Sequence, residues 1–236
     1  MKLGQRLTQL NDMIPTGYMH IWDCCCDHGL LGAALLSRQA ASTVHFVDIV
    51  PNLMQQLERK LERFYPLQNP PQWQVHCMDV AQLPLLDSPE TPLVVIAGVG
   101  GDLMIELVNS MCLQNPQQHI DFLLCPVHHQ YELRQHLIKL ECRLIDEKLI
   151  EENRRFYEIL YVSRGNKASS HDSESSTLIS PVGNKLWQVN TEQQLDIAQR
   201  YLDKVLRHYQ KISMSNPQKT EKALLDYQRI SLKSVK

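Results

Sequence analysis

The chain has 236 residues, 43% of them apolar, and a formal net charge of −2. Length and composition suit one α/β domain with an appendage, and the near-neutral balance excludes any argument from charge alone for a nucleic acid or an anionic membrane. The longest apolar runs, such as Leu93 to Ala97, are far too short to cross a bilayer, and polar residues interrupt Met1 to Asn11, so a soluble cytoplasmic protein with no membrane partner is expected.

Residues 2–13 pattern as a short amphipathic helix with Leu3, Leu7 and Leu10 on one face, closed by the turn Pro15-Thr16-Gly17. Met19 to Cys25 is an apolar run suited to a buried strand. Gly29 to Gln39, rich in Leu and Ala, reads as a helix. Thr43 to Ile49 is strand-like, and Pro51 opens a helix to about Tyr65, at the position where proline costs least. A loop at Gln68 to Gln72 leads to a strand at Trp73 to Cys77. Pro92 to Ala97 reads as a central strand covered on both faces, followed by a helix at Gly101 to Met111. Ile120 to Cys125 is a strand and Tyr131 to Leu140 a helix. Arg143 to Ile150 and Arg155 to Val162, joined by Glu151-Glu152-Asn153, are spaced as an antiparallel hairpin.

Strands alternating with helices, then a closing hairpin, predict an α/β Rossmann-like fold whose mostly parallel sheet ends in an antiparallel pair. That domain is expected over residues 1–163. A Ser-rich linker, 164–184, follows, with Ser169 to Ser176 at its centre. Residues 185–236 read as a helical hairpin, with helices at Thr191 to Lys211 and Pro217 to Lys233. Leu195, Ala198, Leu202 and Val205 share a face of the first, and Ala223, Leu224, Tyr227 and Ile230 of the second. From Lys185 onward there are ten basic and five acidic residues, so a basic tail follows an acidic body.

The seven cysteines, at 24, 25, 26, 77, 112, 125 and 142, include no Cys-x-x-Cys pair and mostly fall in apolar segments, where a reduced cysteine acts as a small hydrophobe. Cys125 with His128 and His129 offers three metal donors. Adjacent histidines on a loop are expected to point apart and no fourth ligand is evident, so no metal site is expected.

In open α/β sheets ligands bind outside the carboxyl ends of the strands, where the strand order reverses. The turn Asp23-Cys24-Cys25-Cys26-Asp27-His28-Gly29 falls there. Gly29 lacks a side chain that would hold the backbone off a ligand, and the next helix offers free N–H groups. Asp48, followed by Ile49, ends the second strand, where a carboxylate can accept both ribose hydroxyls of an adenosine. Asp79, followed by apolar Val80, ends the third and suits an adenine amino group and ring face. A nicotinamide cofactor also uses an acid after the second strand, but the first turn holds no G-x-G-x-x-G.

Ile96-Ala97-Gly98-Val99-Gly100-Gly101 resembles the I-A-G-M-G-G motif of the bacterial tRNA adenine-N1 methyltransferases that modify position 22, the TrmK family. Asp27-His28 matches that family's S-D-H turn, Arg6-Leu7 and Ile14-Pro15 its N-terminal segment, Tyr131-Glu132-Leu133-Arg134 its D-E-L-R helix, and Phe156-Tyr157-Glu158-Ile159 its Y-E-I strand. The resemblance spans about residues 3–163, and the family too ends in a helical appendage. Two places differ: the family's first turn is D-I-G-S-D-H-A-Y-L-P, and Q-P-N stands where this chain has Cys125-Pro126-Val127.

The resemblance implies a tRNA methyltransferase that uses S-adenosyl-L-methionine. The cofactor would be held by Asp23, Cys24, Asp27, His28, Gly29, Asp48, Ile49, Asp79, Val80, Ala97 and Gly98. Adenine N1 carries an in-plane lone pair, so the expected catalytic apparatus is sparse: Gly98 and Gly100 for close approach and carbonyl dipoles, and Tyr157 to stack on a flipped base. Arg134, Arg154 and Arg155 are candidates to hold phosphates. Two other readings are a degenerate methyltransferase domain that binds RNA or protein without turnover, and a methyltransferase for another substrate.

Overall fold

The structure, a computed structural model, describes residues 3–66, 69–85, 90–165, 177–214 and 217–232. The Ser169 to Ser176 stretch lies outside them. Seven helices are described: α1 Gln5–Met13, α2 Leu30–Ser37, α3 Pro51–Phe64, α4 Gly101–Gln114, α5 Gln130–Lys139, α6 Glu192–Ser213 and α7 Pro217–Gln228. The strands are β1 Tyr18–Cys24, β2 Ala41–Asp48, β3 Trp73–Cys77, β4 Leu93–Ala97, β5 Ile120–Cys125, β6 Arg143–Glu152, β7 Arg155–Arg164 and β8 Thr177–Leu178.

They form one sheet in the order β3-β2-β1-β4-β5-β7-β6-β8. The pairs among β1 to β5 are parallel, and β7 enters antiparallel to β5. Parallel strands need crossovers, and the helices supply them while covering both faces. In β4, Leu93 and Val95 pack toward α1, α2 and α3, while Val94 and Ile96 pack toward α4 and α5. Both sets are buried, which is why β4 reads as an unbroken apolar run.

The β6–β7 turn is tighter than the sequence indicated. Glu151 and Glu152 are the last residues of β6, and Glu152 pairs with Arg155 across a two-residue turn, Asn153-Arg154. Both turn residues have positive φ, 52° and 62°, as a hairpin turn matched to the strand twist requires. Of the expected linker, 164–184, the described residues 177–184 are docked, as are residues 185–187 that follow it. Thr177 and Leu178 add β8 to the sheet edge, and Ile179, Val182 and Leu186 are buried. No described helix is long and apolar enough to cross a membrane.

Helices α6 and α7 share a core of Leu202, Tyr209, Ala223 and Tyr227 with Tyr131 of α5. A polar centre ties them to the sheet. Arg134 of α5, wholly buried, donates from Nε to Glu158 of β7 and from Nη2 to Glu147 of β6, both at 2.7 Å. The Tyr201 hydroxyl of α6 donates to the other Glu158 oxygen at 2.6 Å. The remaining Glu147 oxygen accepts the backbone N–H groups of Asn184 and Lys185. The two adjacent carboxylates hold the Arg134 guanidinium charged against the opposing effect of burial. Arg134 is therefore not a phosphate ligand, as the sequence indicated, but the fastener of the C-terminal part. Removing one member of a buried charge network strands the rest, at about 3–5 kcal/mol. Arg134→Ala should lose stability of that order in denaturant titrations and increase hydrogen exchange in α6 first. Unchanged exchange in α6 would contradict the fastening role.

Candidate active site

The strand order reverses between β1 and β4, and the loops at the carboxyl ends of β1 to β5 build the site there. The β1–α2 turn runs through left-handed backbone. Cys25, Asp27 and Gly29 have φ of 54°, 50° and 67°, all left-handed. That region costs a non-glycine residue about 1–2 kcal/mol. Cys25 stands where the related turn D-I-G-S-D-H has its glycine, so this chain accepts the strain with a side chain present. Gly29, by contrast, is buried, and its missing Cβ makes room for Leu57 and Phe46 behind the turn rather than for a ligand.

Asp23 is buried at the base of the turn. Its carboxylate accepts the Gly32 N–H of α2 at 2.8 Å. Burial pushes its pKa up to about 7, with the Gly32 bond working against the rise and nearby Asp48 adding to it. Asp48 stands half-buried at the end of β2. Its Oδ2 accepts the Asp27 N–H at 3.1 Å and its Oδ1 the Val50 N–H, leaving lone pairs on both oxygens. Ile49 is exposed beside it. Asp79 is exposed after β3, with Oδ1 capping the short turn through Ala81 N–H, and Val80 next to it is buried. Asp27 and His28 are exposed on the turn's outer side.

The cysteines of the turn are not poised as nucleophiles. Burial raises all three, Cys24 most firmly and Cys25 to about 11, with Asp48 and Asp23 reinforcing Cys25.

The β4 and β5 loops are stitched together by Gly98 N–H to Cys125 O, Val127 N–H to Val99 O and Gly101 N–H to His128 O. Gly98, exposed, has φ 89°, which demands glycine. A Cβ there would lie 3.3 Å from Nη1 of Arg6. Gly100 serves a different neighbour, since a Cβ on it would run into the His128 imidazole. Tyr157 is half-buried on β7, with the Arg6 guanidinium 5.3 Å from its ring centroid. Arg154 and Arg155 are exposed in and beside the hairpin turn.

Arg6 is the residue that sequence reasoning passed over. Helix α1 carries it across the carboxyl ends of β4 and β5, against Gly98, Tyr157 and the Cys125 thiol. Its backbone N–H is fixed by Glu152 Oε1, and its Nη1 is buried without a hydrogen-bond partner. A buried guanidinium N–H left unmet is costly, so this one marks a place for an acceptor. The only hint in the sequence was the Arg6-Leu7 match.

A family model described as a methyltransferase domain matches residues 3–160. No curated protein matches. Among solved structures, the chain is similar to M. capricolum TrmK in complex with S-adenosyl-homocysteine, at 19% identity, 97% coverage of both chains and a TM-score of 0.71. It is similar to Streptococcus pneumoniae Sp1610 at 21% identity, 96% coverage of both chains and a TM-score of 0.70. Bacillus subtilis TrmK also matches at 21% identity, over 96% of this chain and 94% of its own, with a TM-score of 0.62. At such identities the likeness establishes the shared fold.

The raised pKa of Asp23 has a consequence for stability. The folded state keeps the Asp23 proton up to about pH 7, whereas an ordinary carboxyl releases it near 3.8. The stabilisation from that proton is full below the lower value and is lost as pH rises through the higher one. Asp23→Asn, which cannot ionise, should therefore gain stability relative to the parent between pH 4 and 7, by at most about 1.4 kcal/mol per pH unit, and no more above pH 7. Urea titrations at both pH values check this, and parallel behaviour of the two proteins would refute it.

Proposed function

The chain belongs to the methyltransferase-domain family, and from that premise we propose that it is an S-adenosyl-L-methionine-dependent tRNA methyltransferase acting on N1 of adenine at position 22. The observation that carries the reading is the glycine loop Gly98 to Gly101 at the strand-order reversal, faced by the buried, unpaired Nη1 of Arg6 and the Tyr157 ring. Bacillus subtilis TrmK, an m1A22 tRNA methyltransferase that shares the fold over nearly the whole chain, supports the substrate.

The residues present suit the cofactor. Asp48 retains lone pairs for two ribose hydroxyls, and Asp79 retains an oxygen for an exocyclic amino group beside the apolar Val80. Asp23, Cys24, Asp27, His28 and Gly29 form the turn that would hold the rest of the cofactor, with Ile49, Ala97 and Gly98 as further candidates to border it. Bound there, S-adenosyl-L-methionine supplies an electrophilic methyl on a sulfonium.

The chain's own task is alignment and exclusion of water, because N1 attacks with a lone pair and no base has to remove a proton first. Gly98, with no side chain, admits a planar base against the loop. Gly100 acts one step back, by seating His128. Tyr157 offers a ring face at the same place. Arg6 donates to an acceptor on the incoming nucleotide, and its contact with the Tyr157 ring keeps the guanidinium in position. The thiols nearby stay protonated and take no part.

Purified protein incubated with labelled S-adenosyl-L-methionine and a tRNA carrying adenine at position 22 should place one methyl on N1 of that base. Cofactor binding without transfer would reject the tRNA reading and leave the family standing. A hydrogen bond from a charged donor is worth about 1.5–3 kcal/mol. Arg6→Ala should accordingly lower kcat/KM for tRNA roughly 10- to 100-fold while leaving cofactor affinity as it was. Equal activity in parent and variant would remove Arg6 from the site.

A further inference from the structure

Two of the carboxyl-end loops bring together side chains that methyl transfer leaves unused. Asp102 lies in the first turn of α4, and His128 and His129 precede α5. One ligand atom from each lies within 4.8 Å of the other two, the only such group of His, Cys, Asp and Glu among the described residues. The expectation that adjacent histidines point apart is not met. His129 has φ 59°, and the two imidazoles stand edge to face with centroids 4.4 Å apart. His129 Nδ1 and Asp102 Oδ2 are 2.7 Å apart. His128 lies over Gly100, where a Cβ would come within 2.4 Å of its ring. Cys125, the donor considered from the sequence, is buried and takes no part.

We propose that Asp102, His128 and His129 bind a divalent transition-metal ion of the zinc, nickel or cobalt class. Two imidazoles and a carboxylate are a donor set such ions take, whereas magnesium and calcium favour oxygen alone. With bonds of about 2.0–2.2 Å, tetrahedral ligands stand roughly 3.4 Å apart. All three side chains are exposed, so modest rotations close the difference from the observed spacing. The amino ends of α4 and α5 meet here and repel a cation, and the Asp102 carboxylate offsets them. The hydrogen bond between Asp102 and His129 holds two of the three donors near each other in advance. Three protein ligands leave a position open to an outside donor. Both histidines also line a crevice of about 400 Å³ against α6, with Lys204 and His208 on its far wall. An ion at this point links α4 to α5, and so ties the Gly98 to Gly101 loop to the β5 loop.

The test uses the full chain, stripped with a chelator and titrated with cobalt(II) by calorimetry and visible spectroscopy. One equivalent should bind, with the spectrum of nitrogen and oxygen ligands and no thiolate charge-transfer band. Asp102→Asn and His128→Ala should each weaken binding about tenfold or more, while the melting temperature of the stripped protein stays as in the parent. Absence of binding, equal affinity in the variants, or a thiolate band that points to the Cys24 to Cys26 turn would each overturn the assignment.

Discussion

The fold depends on one buried charge, the guanidinium of Arg134. Charge at the centre of a protein is expensive unless every donor is met. Here two of its nitrogens reach Glu147 and Glu158, and a third reaches the carbonyl of Ser180 at 3.2 Å. The carboxylates in turn accept Tyr201 and the N–H groups of Asn184 and Lys185. Five separate stretches of chain are therefore joined through Arg134 and its two carboxylates: α5, β6, β7, the docked segment 180–185 and α6. Apolar contact in the Leu202, Tyr209 and Tyr227 cluster adds area, but it has no preferred register. The charge network specifies where α6 lies.

That centre is also what the sequence hides best. Arg134, Glu147 and Glu158 are charged residues in elements with alternating or mixed patterns, and charged residues default to the surface. Nothing local distinguishes Arg134 from Arg154 or Arg155, which are exposed. The elements themselves were far more legible. Trp73–Cys77 and Ile120–Cys125 match their expected ends, because β-branched and aromatic runs bounded by turn residues leave little choice. Pro51 opens α3 as expected. The β6–β7 turn was placed too broadly, since Glu151 and Glu152 look like turn residues until their pairing with Phe156 and Arg155 is seen.

The candidate site divides in the same way. Strand-end acids and a glycine loop are visible because topology alone sends them to one edge of the sheet. What each does locally is not visible. Gly29 and Gly100 accommodate Leu57 and His128, and only the packing of distant segments decides that. Cys25 in a left-handed conformation reads as an ordinary buried cysteine in the sequence. Arg6 reaches the site from an N-terminal helix whose direction no periodicity reports.

The two centres are not independent. Arg134 sits one turn into α5, the helix whose first residues follow His128 and His129, and Glu158 is the immediate neighbour of Tyr157 on β7. Successive residues of a strand face opposite ways. Glu158 thus holds β7 from one side of the sheet while Tyr157 meets Arg6 on the other. A shift of β7 along its axis would break both contacts together. Anchoring α6 and positioning the Tyr157 ring are in this sense a single constraint, which explains why a fold with so open a glycine loop can still present Arg6 and Tyr157 in fixed places.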